Sequence, residues 1–169
     1  MWYVVQVRTG NEKNILLQCR ANIPESILEH CCILYFEEKK RIQGEWTIQQ
    51  KILFPGYVFM VTDNSEELYL QLKKVIGLTK LIGTGREIIP ISEDEKNFLL
   101  SFGDSDQIVK MSKGIIEGSQ IKILSGPLMG KEGLIRKIDR HKRKAYLELE
   151  MFGRIQQVQV GLEVVMKTV

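Results

Sequence analysis

The sequence has little of what would place it outside ordinary globular proteins. No apolar run approaches the roughly 20 residues that a membrane-crossing helix needs. The longest of note, Ile52 to Val61, is ten residues and is broken by Pro55 and Gly56. No basic stretch precedes the opening Met1-Trp2-Tyr3-Val4-Val5, so no secretory signal is read. The cytoplasm is the expected compartment, with no membrane partner. Cysteine is scarce: Cys19, Cys31 and Cys32 are odd in number and two are adjacent, unlike a secreted disulfide framework. Adjacent strand residues face opposite ways, so Cys31 and Cys32 are poorly placed to bridge or share a metal. Adding His30 and Cys19 gives spacings that fit no zinc pattern. Buried, inert thiols are expected, with no metal and no cofactor.

What is present is ordinary in amount and uneven in distribution. The 169 residues are 44% hydrophobic and 27% charged, which excludes disordered, collagenous and mucin-like chains and allows one domain or two small ones. The net charge of +3 hides an asymmetry. Residues 1–112 carry 13 Lys/Arg against 15 Asp/Glu, whereas residues 113–169 carry 11 against 6. The C-terminal third, at +5, is the part a polyanion would find.

Periodicity divides the chain at the same place. Trp2 to Arg8 is β-branched and aromatic, hence a buried strand. Thr9 with Glu12 has capping-box spacing, and Ile15, Leu16 and Cys19 predict a helix from Asn11 to Asn22, ended by Pro24. His30 to Phe36 is predicted as a second strand, Glu37 to Gln50 as a polar hairpin turning at Gly44, and Lys51 to Val61 as a third strand. Asn64 caps a second helix that Gly77 stops, Leu78 to Ile82 and Ile88 to Ile91 are extended, and Ser92 with Glu95 opens a third helix through Phe102. This order fits an α+β sandwich of helices on a mostly antiparallel sheet over residues 1–102. Residues 103–112 lack a period and read as a linker. Residues 113–169 switch to period two, with strands at Gln120–Leu124, Gly133–Ile138, Tyr146–Phe152 and Ile155–Val160. Glycine-rich turns separate them, the pattern of a small β-barrel.

Two stretches carry a family resemblance. Glu117-Gly118-Ser119-Gln120-Ile121-Lys122-Ile123-Leu124-Ser125-Gly126-Pro127-Leu128-Met129-Gly130-Lys131-Glu132-Gly133 and its continuation to Asp139 resemble the KOW motif. Trp2-Tyr3-Val4-Val5, Thr9-Gly10-x-Glu12-Lys13 and Leu53-Phe54-Pro55-Gly56-Tyr57-Val58-Phe59 resemble the NGN domain of the NusG family of transcription elongation factors. The resemblance covers nearly the whole chain in the family's domain order. It implies an NGN-type α/β sandwich followed by an SH3-like KOW β-barrel, in a non-enzymatic and monomeric factor. It also implies that the front domain docks on the clamp helices of the largest subunit of RNA polymerase. Phe54, Pro55, Tyr57 and Phe59 fall in the segment that matches the polymerase-facing one; its three aromatics are more than one sheet face needs, the bland alternative being that all of them, Phe59 above all, are core. Thr62, Asn64 and Ser65, at the start of the second helix, are placed by the resemblance near the far side of the cleft or the non-template DNA strand.

One feature separates the chain from a plain tether. From Arg136 to Lys144, six of nine residues are Lys or Arg: Arg136, Lys137, Arg140, Lys142, Arg143 and Lys144, with His141 among them. The run falls where two strands turn, so its charges are expected to project together toward the phosphates of a nucleic acid, with Lys122, Lys131 and Arg154 widening the footprint and Tyr146 as a stacking surface. The bland alternative is a solvated hairpin tip. With this run the chain resembles the specialised LoaP branch of the family, which implies a processive antiterminator that reads an RNA hairpin in the leader transcript. The rival is a general factor whose KOW domain holds a termination factor or a ribosomal protein. Catalytic readings are thin. Gly83-Thr84-Gly85-Arg86 lacks the rest of a phosphate loop, Glu93, Asp94 and Glu95 sit where acids favour a helix dipole, and neither His30 nor His141 has a nucleophile beside it.

Overall fold

The computed structural model describes residues 1–75 and 88–168. In chain order its strands are β1 (Trp2–Gln6), β2 (His30–Cys32), β3 (Tyr35–Ile42), β4 (Glu45–Ile52), β5 (Tyr57–Val61), β6 (Ile88–Pro90), β7 (Ile108–Val109), β8 (Ser112–Glu117), β9 (Gln120–Ser125), β10 (Ile135–Asp139), β11 (Lys144–Met151) and β12 (Arg154–Thr168). The helices are α1 (Glu12–Asn22), α2 (Ser65–Leu72) and α3 (Glu93–Phe102), with a 3-10 turn at Glu132–Leu134. The segment predicted as a strand at Leu78–Ile82, the Gly77 stop and Gly83–Arg86 lie outside the described residues. No helix among the described residues is long and apolar enough to cross a membrane.

The chain forms two compact units, residues 1–34 with 54–97, and residues 35–53 with 98–169. In the first, an antiparallel sheet runs in the order β2-β5-β1-β6. Consecutive residues Val4 and Val5 on β1, and Val58 to Met60 on β5, are all buried. Successive strand residues point to opposite faces, so both faces of this central pair are covered. Ile15 and Cys19 of α1 and Leu68 and Leu72 of α2 add to the core. The three thiols are free and buried, and burial pushes Cys19 and Cys32 up to about 12, which makes them inert.

Helix starts follow their sequence signals with one exception. Asn64 accepts from the Glu67 amide at 3.1 Å, and Ser92 and Glu95 exchange reciprocal bonds at 3.0 and 3.1 Å. The Thr9–Glu12 box does not close on the helix. Instead the buried Glu12 carboxylate accepts from the Gly10 amide at 2.7 Å and from the Gly56 amide at 2.9 Å. Gly56 adopts φ +86, and a Cβ there would stand 3.2 Å from the Val7 carbonyl oxygen. The two motif stretches far apart in sequence are thereby fastened to each other by one carboxylate.

The second unit joins two sheets. Its five-stranded sheet runs β10-β11-β12-β8-β9, with the 3-10 turn against both β9 and β11. Leu128, Ala145, Leu147, Val160 and Leu162 form its core. Its other sheet is the β4-β3-β7 hairpin assembly, in which Gln43 and Gly44 both take positive φ, the two-residue turn that matches strand twist.

Three expectations change here. The strand expected over His30–Phe36 divides into β2 and β3, which enter different sheets, and that expected over Lys51–Val61 divides at Leu53–Gly56 into the end of β4 and β5. The expected linker 103–112 holds β7, which pairs in parallel with Tyr35 and Phe36, and the first residue of β8. The three share one feature: β3 pairs with β4 and β7 in a sheet of its own, and the hairpin groups with residues 98–169.

Within the second unit β12 approaches β3 closely. A Cβ on Gly161 would lie 2.5 Å from the Glu37 carbonyl oxygen and against the Met111 thioether, so only glycine fits. Around this approach Lys144 Nζ lies 2.6 Å and Lys51 Nζ 3.1 Å from the buried Glu38 carboxylate. Lys39 Nζ lies 2.7 Å and Arg143 3.5 Å from Glu163. Burial alone would raise the Glu38 carboxyl, but the hydrogen bonds and charges of Lys144 and Lys51 outweigh it and hold it below its ordinary value of 4.5. The Lys39 hydrogen bond, against the opposing effect of burial, does the same for Glu163.

Two outcomes are expected. Glu12→Ala leaves two amides without their acceptor and lowers stability in urea unfolding by about 2 kcal/mol, with Glu12→Gln intermediate. Because the Glu38 and Glu163 carboxyls are depressed on folding, their contribution is complete above the unfolded value near 4.5 and is lost as pH falls through the folded values. Thermal unfolding followed by circular dichroism therefore shows a melting temperature that drops as pH is lowered below about 4.5, and Glu38→Gln makes that drop shallower.

Candidate nucleic-acid interface

The basic run occupies the turn from β10 to β11. Asp139 shapes it: its carboxylate accepts from the Lys142 amide at 2.9 Å, and that bond holds the carboxyl below its ordinary range. Arg143 closes the turn at φ +55, in the left-handed region. Arg140, His141 and Lys142 are exposed at the tip.

The remaining cations do not project with them. Lys144 is turned onto Glu38, and Arg143 is held by Glu163 with its guanidinium 3.9 Å above the Trp46 ring. Arg136 is tied to Glu148 and to the Gly133 carbonyl oxygen, and Lys137 lies 5.4 Å from the Tyr146 ring, covering the surface expected to stack on bases. Lys131 sits 5.9 Å from the rings of Phe98 and Phe102. Arg154 opens β12 opposite Met151, at the far end of the β11 ladder from Lys144, roughly 23 Å away at strand rise. Lys122 is exposed on β9, in the half of the sheet built from β8, β9 and the end of β12. The ten predicted basic residues therefore do not form one patch. Strand alternation and nearby carboxylates divide them, and three stay together at the tip.

The segment expected to be an exposed aromatic patch is core. Phe54, Tyr57 and Phe59 are 1, 3 and 1% exposed, and the Phe54 and Phe59 rings pack at 5.9 Å. The apparent surplus of aromatics disappears because the sheet is covered on both faces rather than one. Pro55 is exposed at the turn they support. Thr62 is buried, donating to the Ile27 carbonyl oxygen and accepting from the Asn64 amide at 3.0 Å. Asn64 is exposed but engaged as the α2 cap, and Ser65 is half-buried.

Sequence reasoning missed the hairpin's contribution. Lys39, Lys40 and Arg41 stand on β3, with Trp46 and Lys51 on β4, in the same unit as the basic turn. Their signal, three consecutive cations, was diluted in the acidic average of residues 1–112. The unit as folded carries 16 Lys/Arg against 11 Asp/Glu. Among the described residues no group of three His, Cys, Asp or Glu is placed to hold a metal.

Comparison with known proteins agrees with this architecture. Residues 1–100 match the family model described as transcription termination factor nusG, and residues 117–149 match the KOW motif. The transcription termination/antitermination protein NusG of Borreliella burgdorferi is 28% identical, over 96% of this chain and 95% of its own. That of Thermus thermophilus is 25% identical, over 98% and 97%. A solved structure of Thermotoga maritima NusG superposes with a TM-score of 0.51 at 21% identity, over 95% of this chain and 92% of that one, a likeness of fold. With the NusG model spanning more than half of its length and a KOW motif following in order, the chain belongs to the NusG family of transcription factors.

Proposed function

We propose that the protein is an operon-specific, LoaP-like antitermination factor, not an enzyme, that docks on RNA polymerase through residues 1–102 and grips a structured RNA through residues 113–169. The observation that carries the RNA half is the turn pinned by Asp139, which presents Arg140, His141 and Lys142 together at the surface. Clustered cations bind a phosphate backbone by releasing its counterions. Family membership supports the polymerase half. The docking surface there is carried by Pro55 and the start of α2, at the exposed Asn64 and the half-buried Ser65. Phe54, Tyr57 and Phe59 act from beneath as the packing that fixes its shape, and Thr62 as the bracket that holds the α2 entry. Asn64 and Ser65 are also the residues nearest the non-template strand in this reading. The barrel raises the factor's local concentration at a transcript by tethering. A cytoplasmic monomer suffices for both contacts.

A second reading has support of its own. Relatives across nearly the full chain carry the general NusG name, which favours a factor whose KOW domain holds a protein partner.

Fluorescence anisotropy of the full chain against a labelled RNA hairpin separates the two. Engagement of about five phosphates gives a fall of log affinity with log salt at a slope near −4. Arg140→Ala with Lys142→Ala weakens binding about tenfold and flattens that slope by about 1.5. Absent or salt-insensitive RNA binding contradicts the proposal and favours the protein-partner reading. Failure of the full chain to retain core RNA polymerase in a pull-down contradicts the other half.

A further inference from the structure

The basic turn does not stand alone. Beside it, within the same compact unit, lies a groove of about 350 Å³. Its hairpin wall includes Lys40, Arg41, Trp46 and Lys51, and its turn wall includes His141 and Lys142. At its base Glu38 pairs with Lys144 and with the half-exposed Lys51, and these contacts fix the walls. The outer cations differ. Among the described residues Lys40 and Arg41, both exposed, have no carboxylate within ion-pair distance.

Exposed cations with no intramolecular counter-charge are solvated in the free protein and remain open to an external anion. Lys40 and Arg41 alternate along β3, yet both line the groove, with Trp46 beside Arg41 on the hairpin wall and Lys142 on the turn wall. One face of Trp46 is already covered by the Arg143 guanidinium at 3.9 Å, which orients the ring and leaves it 39% exposed. A groove with positive charge on both rims and one aromatic in its wall suits a sugar–phosphate backbone threading through it better than a single small anion.

We infer that the β3–β4 hairpin is the second wall of the RNA site, with Lys40 and Arg41 contacting phosphates of the same RNA that the Arg140–Lys142 turn holds. This rests on the RNA-binding reading above and extends it to a segment that neither the KOW motif nor the basic run contains. Two separated cationic rims reach farther along a strand than one tip does, so the site engages more phosphates than the turn alone supplies.

The test uses the full chain, a fluorescein-labelled RNA hairpin and anisotropy across a salt series, with three proteins: wild type, K40A/R41A, and K73A/K74A. The last removes the same charge from exposed lysines that follow α2, outside the groove. The inference expects K40A/R41A to bind about tenfold more weakly with a salt slope smaller by about 1.5, and K73A/K74A to stay within about twofold of wild type. Arg41→Lys with Lys40 intact restores most of the affinity, because a phosphate contact needs the charge. If wild type binds RNA and K40A/R41A binds equally well, the hairpin is not a wall of the site, while the RNA reading stands. If both double variants weaken binding alike, the effect is one of overall charge and the inference is overturned. If wild type itself does not bind, the RNA reading fails and takes this inference with it. Unchanged circular dichroism melting of K40A/R41A, expected for exposed side chains, separates loss of contact from loss of fold.

Discussion

The Glu38 carboxylate is the constraint on which the second unit's surface depends. It is buried, and it is reached by Lys51 from its own hairpin and by Lys144 from the start of β11. A buried ion pair of this kind is weak evidence of net stability, since desolvation offsets much of the attraction. It is stronger evidence of position. Any displacement of the hairpin from the barrel turn would leave a carboxylate or an ammonium buried without its partner. Gly161 acts in the same sense through shape, since β12 reaches β3 only where no side chain intervenes. Glu163, shared by Lys39 and Arg143, repeats the arrangement at the rim.

These pairings sort the basic residues by task. Lys144, Arg143 and Lys39 turn onto the two carboxylates and build the walls, and Lys51 pairs with Glu38 from a half-exposed position. Arg140, His141, Lys142, Lys40 and Arg41 are left facing solvent, and the lysines and arginines among them give the walls their external charge. A count of cations along the chain cannot make this division, because it depends on which carboxylates the fold brings near.

Much of the fold was legible in the sequence. Strand β1, helix α1, the Asn64 and Ser92 caps, the Gly44 turn and the period-two strands of the barrel all follow from local rules about alternation, capping and positive φ. What was not legible is tertiary. Thr9 and Glu12 have the spacing of a capping box, yet the carboxylate finds Gly56, 44 residues away, a better use than closing its own helix. Phe54, Tyr57 and Phe59 read as a surplus over one buried face, and nothing local reveals that both faces are covered. The basic run read as one patch because sequence shows charge but not partners: Glu38, Glu148 and Glu163 each withdraw a member. Lys40 and Arg41 were passed over for the converse reason, lying in a stretch whose average charge is negative.

The central claim is that hairpin and turn present one continuous cationic surface to a folded transcript. Lysine acylation footprinting of the full chain, with and without an RNA hairpin and read by mass spectrometry, addresses it residue by residue. The account predicts that Lys40 and Lys142 are protected together by RNA while Lys73 stays reactive. Protection of Lys142 with Lys40 fully reactive, or of neither, would contradict it.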